Sequence, residues 1–136
     1  MNPIVRNIII VILALFVGAQ LNLAIINYGP LLIPPPDGVD PGNLESIKAN
    51  MSSYGAIHFV TIFLAHALGT LASAFIIGKF AASQHKRLIL IPGILFLFGG
   101  IGMAIMLPEF WKFSIIDIVL AYIPMAYLGW ILAGKK

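Results

Sequence analysis

The chain contains no cysteine. That removes disulfides, thiolate metal sites and cysteine nucleophiles from consideration, and says nothing about compartment. Charge is also scarce: 10% of the 136 residues are Asp, Glu, Lys or Arg, whereas a soluble domain carries about a quarter. No Walker, Rossmann, nucleophile-elbow or HExxH pattern occurs. Arg, Asp and Glu are too sparse for phosphoryl or lipid-headgroup chemistry. Neither a repeat of about twenty to fifty residues nor a pair of inverted halves is visible. Hydrocarbon is what the chain has in quantity. It is 60% hydrophobic, with a mean hydropathy of +1.02, so it reads as one compact unit solvated mainly by lipid.

The stretch Ala56 to Phe80 organises the rest. It is long enough to cross a bilayer, since about 20 apolar residues at roughly 1.5 Å each span a hydrocarbon core. Yet it carries His66 near its middle, with Thr61, Thr70 and Ser73 around it. Ala65, Gly69 and Ser73 recur at steps of four, as do Thr70, Ala74 and Gly78. These are two small-residue ridges on which neighbouring helices can approach closely.

A first helix is expected from about Asn7 to Tyr28, ended by Gly29-Pro30. Arg6, the run Ile8 to Val17 and Val17-Gly18-Ala19 have the outline of a secretory signal. The apolar run continues to Ile26, beyond a usual signal core, so an uncleaved helix is expected. Gln20, Asn22 and Asn27 are its polar residues, and Ala14 and Gly18 mark a close-packing face. Residues Gly29 to Gly55 form a long connection. Pro34-Pro35-Pro36 forces an extended start. Asp40-Pro41 then reads as an N-cap and first helical proline, opening a short amphipathic helix to about Ser52. This segment is either a lid over helix ends or a docking or substrate-facing surface. A third span is expected over Leu88 to Leu107, with Gly99 and Gly100 as packing positions, and a fourth over Ser114 to Ala133, kinked at Pro124.

Charge orients these spans. Arg6, the Lys79–Arg87 turn and Lys135-Lys136 fall on one side of four crossings. Asp37, Asp40, Glu45 and Glu109 fall on the other, with only Lys48 and Lys112 among the basic residues. A positive-inside arrangement follows, with both termini cytoplasmic. The small size and plain topology suggest a bacterial inner membrane. The net charge of +3 therefore reports topology, and nucleic acid is not an expected partner.

Three His, Asp or Glu residues fall inside expected spans: His58, His66 and Asp117. Such groups are costly in a bilayer and face an interior or a cavity. Counting residues from the outer surface puts His58 and Asp117 at matching depth. His66 falls on the order of 12 Å deeper, beside Tyr122, Gln20 and Asn22. The outer half is thus polar inside, which points to an outward-open pocket beneath the Gly29–Gly55 connection. The candidate ligand-binding residues are Asn22, His58, His66, Asp117 and Tyr122; the candidate packing residues are Ala65, Gly69, Ser73, Gly99 and Gly100. Each polar candidate also has a structural role open to it. His58 can bond loop backbone, Asp117 can cap the fourth helix or pair with His58, and His66 can bond a neighbouring helix.

No cofactor is expected. His58 and His66 share one helix and cannot face each other across a haem, and the spacing of His58, His66 and Asp117 does not favour a metal. The fold expected is all-α: four transmembrane helices in a bundle with a short external amphipathic helix between the first two. The first expectation for function is a non-catalytic subunit or homo-oligomer, associating with membrane lipids and with other membrane proteins or itself. The alternative is a binder or carrier of a small amphipathic molecule, a lipid or quinone, in the outward pocket.

Overall fold

In the computed structural model, residues 1–134 are described, and every regular element among them is helical. Lys135 and Lys136, part of the expected basic side, lie outside the described residues. The helices are α1 (Pro3–Tyr28), α2 (Leu44–Ala49), α3 (His58–Phe80), α4 (His85–Leu88), α5 (Leu90–Met106), α6 (Trp111–Leu120) and α7 (Ile123–Leu132). With short 3-10 turns they make four segments long and apolar enough to cross a membrane: Pro3–Leu31, His58–Phe80, His85–Met106 and Pro108–Leu132. That is the pattern of a multi-pass membrane protein.

Local chemistry sets the boundaries. Asn2 caps α1, its side chain accepting the Ile4 amide at 2.8 Å, and Pro3 occupies a first-turn position where no amide partner is lost. The expected cap at Asp40 is corrected. The Asp40 carboxylate folds back onto the Gly42 amide at 2.9 Å, and Asn43 caps α2 instead, accepting from Glu45 and Ser46. A six-residue helix results, not a run to Ser52. Pro41 and Gly42 serve the turn, because an Asx side chain bonds the backbone two residues on.

α3 is the hub. α1 and α7 both pack along it, and α5 and α6 lie against its remaining side. On the α1 side a Cβ at Gly69 would stand 2.8 Å from the Gly18 carbonyl oxygen. The Ser73 hydroxyl donates to the Ala14 carbonyl at 2.8 Å, fully buried. On the α7 side a Cβ at Gly78 would meet the Ala133 side chain at 2.8 Å. Both ridges of α3 are therefore filled by this chain's own helices, at separations only small residues permit.

One end of the molecule is closed. Val11, Ala14, Ala74, Ile77, Ala81, Ile89 and Ala126 form a continuous buried cluster there. The turn after α3 is tied to α1: the Asn7 side chain accepts the Ala82 amide at 2.7 Å, and Arg6 donates to the Phe80 carbonyl at 3.0 Å. The opposite end is built differently. α1 and α5 make no extended contact with each other, and the space between them is where the polar residues gather.

Candidate functional site

The fourth segment breaks in mid-course. Pro124 has no amide hydrogen, so the bond that would continue α6 into α7 is missing. The helix opens at Ala121–Tyr122, one turn ahead of the proline, and resumes at Ile123. The Ala126 amide picks up the Tyr122 carbonyl at 2.8 Å to restart the ladder. A break replaces the expected kink, and it sets Tyr122 with φ −116° and ψ −80°, outside helical geometry.

Tyr122 is one corner of a compact triad. Its hydroxyl donates to Oδ2 of Asp117 at 2.8 Å. Nδ1 of His66 stands 2.8 Å from the same oxygen and 3.0 Å from Oδ1. The Tyr122 hydroxyl and His66 Nδ1 are themselves 3.0 Å apart. Asp117 is 3% exposed and Tyr122 1%, so both are almost wholly enclosed, while the His66 ring is half-buried. Thr70 completes the support by donating to the His66 carbonyl at 2.8 Å.

Asp117 therefore pairs with His66, not with His58, and it does not cap a helix. The expected depth match was wrong by several residues. The fourth segment begins at Pro108, six residues before Ser114, because Pro108–Phe110 winds as a 3-10 turn directly into α6. Asp117 is nine residues into its segment and His66 eight into its own, which puts the two side by side. His58 turns away. Its Nδ1 is 2.9 Å from the Gly55 amide, which donates to it, the loop-backbone role that the sequence left open.

The triad lies against a cavity of about 500 Å³. Of the ligand candidates, Asn22, His66, Asp117 and Tyr122 line it and His58 does not. α1 contributes Ala19, Asn22 and Ile26, and α5 contributes Phe96, Gly99, Gly100 and Met103. Pro41, Ile47 and Tyr54 of the long connection close over it. Gly99 is not a packing residue, since a Cβ there would meet nothing within 4 Å. Gly100 is one, but its partner is Tyr122 and not another helix backbone. Ala65, Gly69 and Ser73 are fully or nearly fully buried where α3 meets its neighbours.

The sequence reading passed over the aromatic wall. Phe59 stacks on Phe113 at 4.6 Å and meets Phe110 edge-on at 4.8 Å; Tyr54 meets Phe110 edge-on at 5.3 Å. All four rings line the cavity. Tyr54 and Phe59 come from one part of the chain and Phe110 and Phe113 from another, and only the fold brings them together. Burial pushes the Tyr54 phenol above its ordinary value. Among the described residues no three His, Asp or Glu side chains converge as a metal-ligand set. No family model, curated protein or solved structure matches the chain.

Proposed function

We propose that this protein binds a small amphipathic molecule in the cavity between α1, α3, α5 and α6, with its polar head at His66–Asp117–Tyr122. The observation that carries this is the buried triad at the wall of a cavity of about 500 Å³. That volume lies within the roughly 300–1,000 Å³ of small-molecule sites, which pair mostly apolar walls with a few convergent polar groups. Ionisable side chains within a span are costly, and a triad kept beside a cavity is accounted for if a ligand uses it.

In this reading the four apolar segments cross a bacterial inner membrane as one bundle, with both termini in the cytoplasm. The basic residues Arg6, Lys79, Lys86 and Arg87 lie on the cytoplasmic side and the connection bearing Asp37, Asp40 and Glu45 lies outside. The cavity then opens in the outer half, and α2 is its cover. Association with other subunits, the first expectation from sequence, loses the support of the α3 ridges, because α1 and α7 already fill them.

The experiment is native mass spectrometry of the protein extracted from its own membrane in mild detergent. A small molecule retained by the wild type and lost in His66→Ala or Asp117→Asn is the expected outcome. A folded protein that retains nothing but travels in a defined complex with other chains would return the assignment to an accessory subunit.

A further inference from the structure

The ligand-binding reading leaves the class of head group open, and the polarity of the triad narrows it. The Asp117 carboxylate accepts on both sides, from the Tyr122 hydroxyl and from Nδ1 of His66. In a neutral imidazole the proton is then on Nδ1, and Nε2 carries the lone pair. Nε2 has no partner among the described residues, and it is not among the fully enclosed unpaired polar atoms. Its ring lines the cavity. The wall therefore presents an acceptor whose proton donor must come from the ligand.

Charge and shape narrow the class further. Asp117 is the one charged side chain lining the cavity among the described residues, and no Lys or Arg does so. A phosphate or carboxylate head would be buried beside an anion with no cation to offset it, which is strongly unfavourable. The same cavity is lined by the rings of Tyr54, Phe59, Phe110 and Phe113, which stand on or beside the helices that carry His66 and Asp117, and at Gly99 the helix surface is bare of side chain. That combination is an aromatic-walled space next to the triad. A planar ring gains from aromatic walls through offset or edge-on contact.

We propose that the occupant is a neutral aromatic alcohol with an apolar tail, a quinol or lipid-tailed phenol, whose ring hydroxyl donates to Nε2 of His66. The proposal rests on the ligand-binding reading above. Asp117 is a positioning residue here, because it selects the tautomer and does not touch the ligand's hydroxyl. The tail leaves between α1 and α5, where the two helices do not close on each other.

The test is anaerobic isothermal titration of the full chain in mild detergent with three probes: a short-tailed benzoquinol, its quinone and its dimethyl ether. The quinol is expected to bind at least about tenfold more tightly than either, a difference of about 1.4 kcal/mol. In Asp117→Asn an amide can face Nδ1 as a donor, which moves the ring proton to Nε2. The quinol preference should then fall to parity or reverse toward the quinone. His66→Ala should bind quinol and ether alike. If that variant does not fold, the comparison between wild type and Asp117→Asn decides alone. Equal wild-type affinity for quinol and ether overturns the proposal, as does an unchanged preference in Asp117→Asn or equal competition by phosphatidylglycerol micelles. Those results leave the ligand-binding reading standing. A folded wild type that binds none of the probes and retains no small molecule on extraction removes both.

Discussion

The hydroxyl end of Tyr122 occupies the space that a side chain at position 100 would fill. A Cβ on Gly100 would lie 2.7 Å from Cζ of Tyr122 and 2.9 Å from Cε2, closer than carbon atoms approach. Gly100→Ala should therefore push the ring aside and separate its hydroxyl from Asp117. Overpacking of this kind costs about 1–3 kcal/mol, and thermal unfolding in detergent should register it. Gly99→Ala is the control. Nothing lies within 4 Å of that added methyl, so stability should stay within about 1 kcal/mol of wild type, the range of helix propensity. Gly99 lines the cavity, so the added methyl should weaken ligand binding while the fold is retained.

The hydrogen-bonded contact of His66 with Asp117, 2.8 Å long with the carboxylate buried, makes a second expectation. Removing one partner leaves the other's hydrogen bond unmade in a buried site, which costs about 1–3 kcal/mol. Asp117→Ala and His66→Ala should each be severe, and the double variant should be far less than their sum. A coupling in the range of about 0.5–3 kcal/mol is expected from a double-mutant cycle. Tyr122→Phe keeps the ring and loses one hydroxyl bond to the carboxylate, for about 1.5–3 kcal/mol. Strict additivity of the two alanine variants would show that the pair does not exist in solution.

Much of this architecture is legible in the sequence, and the failures have a common cause. Gly69 and Ser73 are readable as a close-packing ridge because small residues at steps of four have one structural use in an apolar helix. The ends of α1 at Tyr28 and of α3 at Phe80 fall where the sequence puts them, but α1 starts at Pro3 on its Asn2 cap, four residues before the expected Asn7. The expected start of the fourth span, at Ser114, is too late. Proline at a first-turn position starts a helix, and Pro108 does so here. Moving that start by six residues shifts Asp117 by about 9 Å along its axis, from beside His58 to beside His66. Gly99 and Gly100 differ for a similar reason. Adjacent residues on a helix face different ways, and only the observed packing assigns Gly100 to Tyr122 and Gly99 to the cavity. The cavity exists because α1 and α5 fail to meet, which is a property of no single segment.

The cover over the cavity should loosen in alkali through Tyr54. Burial raises its phenol above the ordinary 10.0, so the folded chain holds a proton that the unfolded chain releases near pH 10. The contribution is fully present below about pH 10 and is lost as pH rises through the raised value. Tyr54→Phe keeps the edge-on contact with Phe110 and removes the titration. Unfolding measured from about pH 8 to 11 should show the wild type losing stability relative to Tyr54→Phe only in the upper part of that range. Parallel curves throughout would mean that Tyr54 is solvated and that the connection does not close on the helices.

Topology can be tested cleanly because the native chain has no cysteine. Ser52 in the long connection and Ala82 in the turn after α3 are both exposed, so Ser52→Cys and Ala82→Cys are each a single, reachable thiol that disturbs no buried contact. In intact cells a membrane-impermeant maleimide should label Ser52→Cys at once and Ala82→Cys only after permeabilisation. The expectation rests on Lys79, Lys86 and Arg87 flanking Ala82 and on Asp37, Asp40 and Glu45 preceding Ser52, an asymmetry that retains the basic side in the cytoplasm. The reverse labelling would turn the cavity toward the cytoplasm. It would leave the His66–Asp117–Tyr122 geometry untouched but require the ligand to enter from the other leaflet. Labelling of both variants in intact cells would mean that the segment between them, which contains all of α3, does not cross the membrane.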